Sequence, residues 1–172
     1  MITYRPLCAE DIPQVKHIIH TVAYGIFGFD GSLEDSIRYY SGLGIFSDLD
    51  DFQSHYFDNA GTFLVSLDDG QVIGSGAIRR LDGETAELKR MWLLEAYQGR
   101  GVGYRLIGEL FAFARLRGYR RVRLQTSPEQ TRALAFYRKV GFHEIPCYND
   151  DITEVSMEIS LTQSPPPTSP FR

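Results

Sequence analysis

Apolar residues recur along the chain with two periods, and each change of period marks an element. Ile12, Val15, Ile18, Ile19 and Val22 fall at helical spacing, which predicts a helix over 9–25 with one apolar face. Asp11 stands where a cap is useful, and Pro13 is tolerated in a first turn. Ahead of that helix, ITYRPL (2–7) reads as a short strand. Between Phe27 and Phe57 the chain is aromatic, acidic and punctuated by glycine; it reads as loop with short helices near 33–41 and 49–57. Three apolar runs then predict strands at 62–67, 71–80 and 85–93. Asp68-Asp69-Gly70 and Asp82-Gly83 separate them, and Asp-Gly between apolar runs signals a hairpin.

Helical spacing returns at 101–117. Val102, Leu106, Leu110 and Phe113 share a face there, widened by Ile107 and Phe111, and Gly118 stops the helix. A strand at 120–127, a helix at 129–140 ending at Gly141, and closing strands at 142–148 and 152–161 complete the reading. The order is hairpins first, then a β-α-β-α-β-β run, with no internal repeat. It predicts an α/β or α+β fold, a sheet with helices packed on it. Residues 1–161 read as a single domain, and 162–172 as a Pro/Ser-rich tail.

Composition adds exclusions. The 172 residues carry a net charge of -4, which argues against generic nucleic-acid binding. No apolar run is long enough to span a membrane, and the N-terminus has no signal-peptide pattern. Cys8 and Cys147 lie far apart, so they read as free thiols in a reducing compartment, and a soluble cytoplasmic protein is the default expectation. His17 and His20 share a helix face at i, i+3 without an acid or thiol at metal spacing; they read as satisfied surface or core histidines, and no metal site is expected.

The densest signal is YQGRGVGYRL (97–106), with three glycines between a predicted strand and a predicted helix. The dinucleotide fingerprint fails, because its last position falls on Tyr104 counting from Gly99 and on Leu106 counting from Gly101. The phosphate-loop pattern also fails, since Gly108 is followed by Glu109. What remains is a plain tight turn, or a glycine turn that aims free helix N–H groups at an anion.

Gln98-Gly99-Arg100-Gly101-Val102-Gly103 fits the pattern Q/R-x-x-G-x-G/A, and it resembles the pyrophosphate loop of the GNAT superfamily of acetyl-CoA-dependent N-acetyltransferases. AELKRMWLLEAYQGRGVG is similar to that family's fourth strand and loop, and ALAFYRKVGF to its second cofactor motif. The strand VRLQT lies between them, so the resemblance spans roughly 62–143. It implies a GNAT-like, mixed, mostly antiparallel seven-stranded sheet with flanking helices and a splay between strands 4 and 5.

The resemblance also implies roles. Acetyl-CoA is the co-substrate, its pantetheine arm lying in the splay beside Leu93, Leu94 and Glu95. Backbone N–H groups of Gln98, Gly99, Arg100, Gly101, Val102 and Gly103 hold the pyrophosphate, with Arg100 and Arg105 adding charge. Gln130 stands where many members carry a cofactor-contacting asparagine. Tyr137 matches the tyrosine that protonates the departing thiolate; its other reading is a core aromatic among Phe136 and Phe142. Glu87 matches the glutamate with which some members deprotonate the amine; its other reading is an exposed carboxylate or a partner of Lys89 or Arg90. Strand alternation sets Glu87 and Lys89 on one face, and Leu88, Arg90 and Trp92 on the other. The cluster of Arg115, Arg117, Arg120, Arg121 and Arg123 reads as a solvated helix end and strand edge.

The acceptor is expected between 24–57 and 145–153. Aromatic and acidic residues there suit a small cationic amine, although Asp48, Asp50 and Asp51 equally read as a solvated helix start. The function implied is direct acetyl transfer in a ternary complex to a primary amine of a small molecule. Protein lysine or N-terminal acetylation, and a non-catalytic acyl-CoA-binding module, remain as alternatives. Homodimers are common in the family, though no stretch of this chain reads as an interface.

Overall fold

The Asp-Gly-punctuated middle of the chain folds as an antiparallel meander of β2 (Thr62–Asp68), β3 (Gln71–Arg80) and β4 (Thr85–Leu93) in the computed structural model, which describes residues 1–162. The first turn is tight because Asp69 and Gly70 both take left-handed φ, 46° and 85°. In the second, the Asp82 carboxylate accepts from the backbone N–H groups of Glu84 and Thr85 at 2.9 and 2.8 Å. The tail expected over 162–172 lies, from residue 163 on, outside the described residues.

Seven strands form one sheet in the order β1-β2-β3-β4-β5-β7-β6, with β1 at Ile2–Pro6, β5 at Arg121–Thr126, β6 at His143–Ile145 and β7 at Val155–Ser160. Every pairing is antiparallel except that of β4 with β5. That parallel pair holds only from Thr85–Arg121 to Glu87–Arg123, and beyond Glu87 the two strands part.

Helices cover both faces. On one face α4 (Val102–Leu116) and α5 (Thr131–Val140) bury Ile107, Leu110, Phe111 and Leu134 against Leu88, Val122, Leu124 and Met157. On the other, α1 (Ile12–Phe27) buries Val15, Ile18 and Ile19 against Phe63, Val65 and Val72. Each such side chain contributes about 1.5–3 kcal/mol by leaving water. Helix α2 (Leu33–Ser41) begins in a capping box: Ser32 Oγ accepts from Asp35 N–H, and the Asp35 carboxylate accepts from Ser32 N–H, both at 3.1 Å.

Three local readings are corrected. Asp11 does not cap α1; its buried carboxylate instead accepts from Cys8 N–H and from Arg5, closing a short 3₁₀ turn at Ala9–Asp11. The helix expected at 49–57 is broken at Asp51 into α3 (Ser47–Asp50) and a π-helical turn (Gln53–Phe57). The alternation expected along β4 fails at a bulge. Trp92 faces Ser75 and Lys89 faces Ala77, so β4 carries one residue more than β3 between those pairs. Arg90 occupies the bulge with φ 54°, and Ser75 Oγ donates to its carbonyl at 2.8 Å. Leu88 therefore packs under α4 and α5, while Trp92 packs on the α1 face.

Candidate active site

Strand β4 ends at Leu93, and the glycine stretch carries the chain from there into α4. Gln98 folds back, its side-chain amide donating to the Leu93 carbonyl at 2.9 Å. Leu94 N–H donates to the Ile73 carbonyl at 3.0 Å, and Glu95 is exposed, 3.7 Å from Arg132 at the start of α5. Gly99 and Gly101 both take left-handed φ, 73° and 83°, and a Cβ on either would meet nothing within 4 Å. The loop is thus an open cradle of backbone, ending on the first-turn N–H groups of α4, which have no preceding helical carbonyl to bond. Arg100 stacks on Tyr97 at 5.3 Å and Arg105 on Tyr4 at 5.2 Å. Val102 is buried. A Cβ on Gly103 would lie 3.5 Å from Phe136 and 3.9 Å from Leu93, so the end of β4, the loop and α5 converge there.

Beside this junction lies the splay. From Leu88 to Leu93, β4 has no partner on its β5 side, and β5 pairs β7 on its other edge through Leu124, Gln125 and Thr126. Two strand edges with unpaired N–H and C=O groups therefore face one slot, the arrangement that accepts an added strand-like amide chain.

The α1 face of the splay opens into a cavity of about 230 Å³. Its walls are aromatic: Tyr24, Phe27, Phe29, Tyr40, Phe46 and Trp92. Its polar groups are His20, Ser36, Arg90 and Gln130, and no carboxylate lines it. The acidic wall expected from sequence is thus absent. Asp48 is buried, accepting from Arg90 Nε and Nη2 at 2.9 and 2.6 Å and from the Tyr56 hydroxyl. Burial pushes the Asp48 carboxyl up, but Arg90 and Tyr56 outweigh it and hold it below the ordinary range. Asp48 is neither an acceptor wall nor a solvated cap. Gln130 reaches the cavity from the start of α5, with its side-chain oxygen accepting from Thr126 Oγ1 at 3.1 Å.

Tyr137 and Glu87 do not line that cavity. Tyr137 is 6% exposed, between Phe136 and Phe142 with ring centroids 5.6 Å away on each side. Burial alone pushes its phenol above the ordinary tyrosine range. Glu87, 5% exposed, sits at the last paired rung before the splay. It partners neither Lys89 nor Arg90. Arg79 Nε donates to Oε1 at 2.9 Å, with Nη2 at 2.7 Å from that oxygen, and the Tyr148 hydroxyl donates to Oε2 at 2.9 Å. Burial, then Glu87, pushes the Tyr148 phenol well above its ordinary range.

Sequence reasoning missed Tyr148, whose link to Glu87 spans 61 positions with no local signal. It also set aside His20, which a helical wheel places off the apolar face of α1 and which the structure buries. Of the basic cluster, Arg120 and Arg121 pair with Glu84 at the surface, as a solvated strand edge would, and Arg123 pairs with the partly buried Glu158. Cys8 and Cys147 are both free and exposed. Among the described residues, no cluster of His, Cys, Asp or Glu is arranged to hold a metal, and no helix is long and apolar enough to cross a membrane.

Comparison with known proteins agrees with this geometry. A family model described as the acetyltransferase (GNAT) family matches residues 32–142, more than half of the chain. The chain is 28% identical to an uncharacterized N-acetyltransferase of Escherichia coli K12, YjgM, over 147 residues, covering 82% of this chain and 81% of that protein. An acetyltransferase of the GNAT family from Staphylococcus aureus Mu50 superimposes with a TM-score of 0.79 at 17% identity, over 94% of this chain and 99% of that one. PaiA N-acetyltransferase from Thermoplasma acidophilum, solved in complex with coenzyme A, gives 0.74 at 23% identity, over 93% and 99%.

Proposed function

The chain belongs to the GNAT acetyltransferase family and is an acetyl-CoA-dependent acyltransferase, and on that premise we propose that it acetylates the primary amine of a small molecule with an aromatic or apolar body. The observation that carries the acceptor class is the aromatic lining of the cavity beside the splay, which suits an apolar or ring-bearing body.

The residues present fit the co-substrate. The left-handed glycines leave open space where a Cβ would stand, and the first turn of α4 offers N–H groups to a pyrophosphate. Gln98 through Gly103 hold that group by backbone, and Leu93, Leu94 and the free edge of β4 align the pantetheine amides. Bound there, acetyl-CoA supplies the activated acyl thioester. The chain holds donor and acceptor in one ternary complex, so much of the rate comes from proximity.

Tyr137 holds a proton for the departing sulfur. Its hydroxyl is dry, so the phenol stays protonated across the working pH range. A thiolate released into the same dry surroundings has its own pKa raised, which favours transfer from phenol to sulfur. Glu87, paired with Arg79, acts by fixing Tyr148 at the edge of the splay.

Thiol release in the presence of acetyl-CoA and 2-phenylethylamine tests the reading. Turnover saturating in the amine supports it. Binding of acetyl-CoA without thiol release from any primary alkyl- or arylalkylamine overturns the small-amine assignment.

A further inference from the structure

An amine enters such a cavity as an ammonium ion and must lose a proton before its lone pair can attack. The carboxylate that sequence nominates for this work is committed elsewhere, since both Glu87 oxygens are bonded by Arg79 and Tyr148. Asp48 is likewise engaged by Arg90 and Tyr56. The cavity wall offers another proton acceptor.

We propose that His20 is the general base that deprotonates the acceptor amine. The inference rests on the reading of the aromatic cavity as the acceptor site. His20 is 6% exposed, and it lines the same cavity as Arg90 and Trp92 on β4 and Gln130 just ahead of α5. Its imidazole stands edge-on to Phe46, with centroids 4.9 Å apart and planes at 82°. Among the described residues neither ring nitrogen has a hydrogen-bond partner, and neither is sealed in the protein as an orphaned buried atom, while the residue itself lines the cavity. A buried imidazole with unpartnered nitrogens, on the wall of a pocket without carboxylates, is a group placed to accept a proton.

The surroundings keep that imidazole neutral. Burial lowers its pKa below the ordinary histidine range, and the nearby His17 and Lys16 of the same helix lower it further. Across the cavity stand Arg90, already neutralised by Asp48, the hydroxyls of Tyr24 and Tyr40, and Ser36. No anion lines the wall to stabilise a standing imidazolium, so the base is regenerated by release of its proton to water.

The step balances. His20 takes one proton from R–NH3+. The freed amine forms a C–N bond to the thioester carbonyl carbon, and the C–S bond breaks. The second N–H proton leaves as the thiolate departs, and sulfur leaves as the thiol with the proton that Tyr137 relays. The products are R–NH–CO–CH3, CoA-SH and the proton that His20 passes to solvent.

The test compares wild type with H20Q and with H20F, which keeps the ring and its edge contact with Phe46. The probe acceptor is 2-phenylethylamine, and kcat/KM is followed from pH 7 to 9.5. A bound base makes the wild-type profile flat while the amine is charged in solution. Without it only the free amine reacts, so both variants fall about 10²-fold or more at pH 7 and recover about tenfold per pH unit. A packing role scales the whole profile uniformly, and H20F is then rescued. A second readout needs no turnover: of the four histidine Cε1–H NMR signals, the one missing in H20Q shifts when 2-phenylethylamine is added without acetyl-CoA. A flat profile in the variants, or an unmoved His20 signal, overturns the assignment while leaving the small-amine reading intact. A wild type that binds acetyl-CoA and acetylates no amine overturns both.

Discussion

Arg90 and Asp48, 42 positions apart, form a two-toothed ion pair in which Nε and Nη2 of one side chain donate to both oxygens of the other at 2.9 and 2.6 Å. Nη2 also donates to the Ile45 carbonyl at 2.7 Å. The pair ties the bulge of β4 to the segment that walls the aromatic cavity, and its side chains are only 18% and 11% exposed. Removing one partner strands the other charge. D48A is therefore expected to lose about 3–5 kcal/mol of unfolding free energy, read by urea denaturation. The variant D48L/R90M/Y56F recovers part of that loss, because it leaves neither ion nor the buried Tyr56 hydroxyl unpaired.

Gly101→Glu tests the loop. A side chain at φ 83° is strained, and a carboxylate there opposes a pyrophosphate. Wild type at 100-fold its Kd for acetyl-CoA gains about 2.7 kcal/mol by linkage, a rise of about 5–10 °C in Tm for a chain this size. In G101E that rise is expected to vanish. An equal rise in the variant removes the pyrophosphate role from the loop.

Tyr137→Phe separates chemistry from packing. The hydroxyl has no bond to lose, so unfolding free energy and the acetyl-CoA-induced Tm shift are expected to stay near wild type. The rate of thiol release with a saturating amine falls about 10²–10⁴-fold if the phenol is the acid. Full activity in Y137F would make it a core aromatic only.

Asp11 sets an acid limit on stability. Burial pushes its carboxyl up, but Arg5, at 2.6 and 2.9 Å, and the Cys8 N–H outweigh it and hold the pKa at about 2. A carboxyl depressed on folding contributes stability above its unfolded pKa, and loses it as pH falls through the folded value. Roughly 1–2 kcal/mol is thus expected to disappear between about pH 4 and pH 2. Denaturation curves of D11N should be lower at pH 7 and should lack that part of the acid decline.

Much of this protein is legible without coordinates. The meander, α2 and α4 fall within a residue of their expected bounds, because apolar period, Asp-Gly turns and a capping box act between near neighbours. The three motifs around the glycine loop, and their order, are likewise local, and they carry the family resemblance.

Tertiary structure decided the rest, since it depends on which distant groups meet. Period-two alternation assigned Arg90 and Trp92 to the face of Leu88, but one extra residue in β4, pinned by Ser75, turns them to the α1 face. A row of aspartates reads as an acidic wall or a cap until Arg90 and Tyr56 draw Asp48 inside. Glu87, apart from its place in the family resemblance, reads as an exposed carboxylate or a partner of Lys89 or Arg90, whereas packing buries it against Arg79, on the neighbouring strand, and Tyr148, 61 positions away. His20 differs from an ordinary core histidine only in that α1, α2 and β4 leave a cavity with His20 on its wall. Spacing along a chain sets which residues can share an element; only packing between elements determines which polar atoms keep a free valence, and chemistry is done by those.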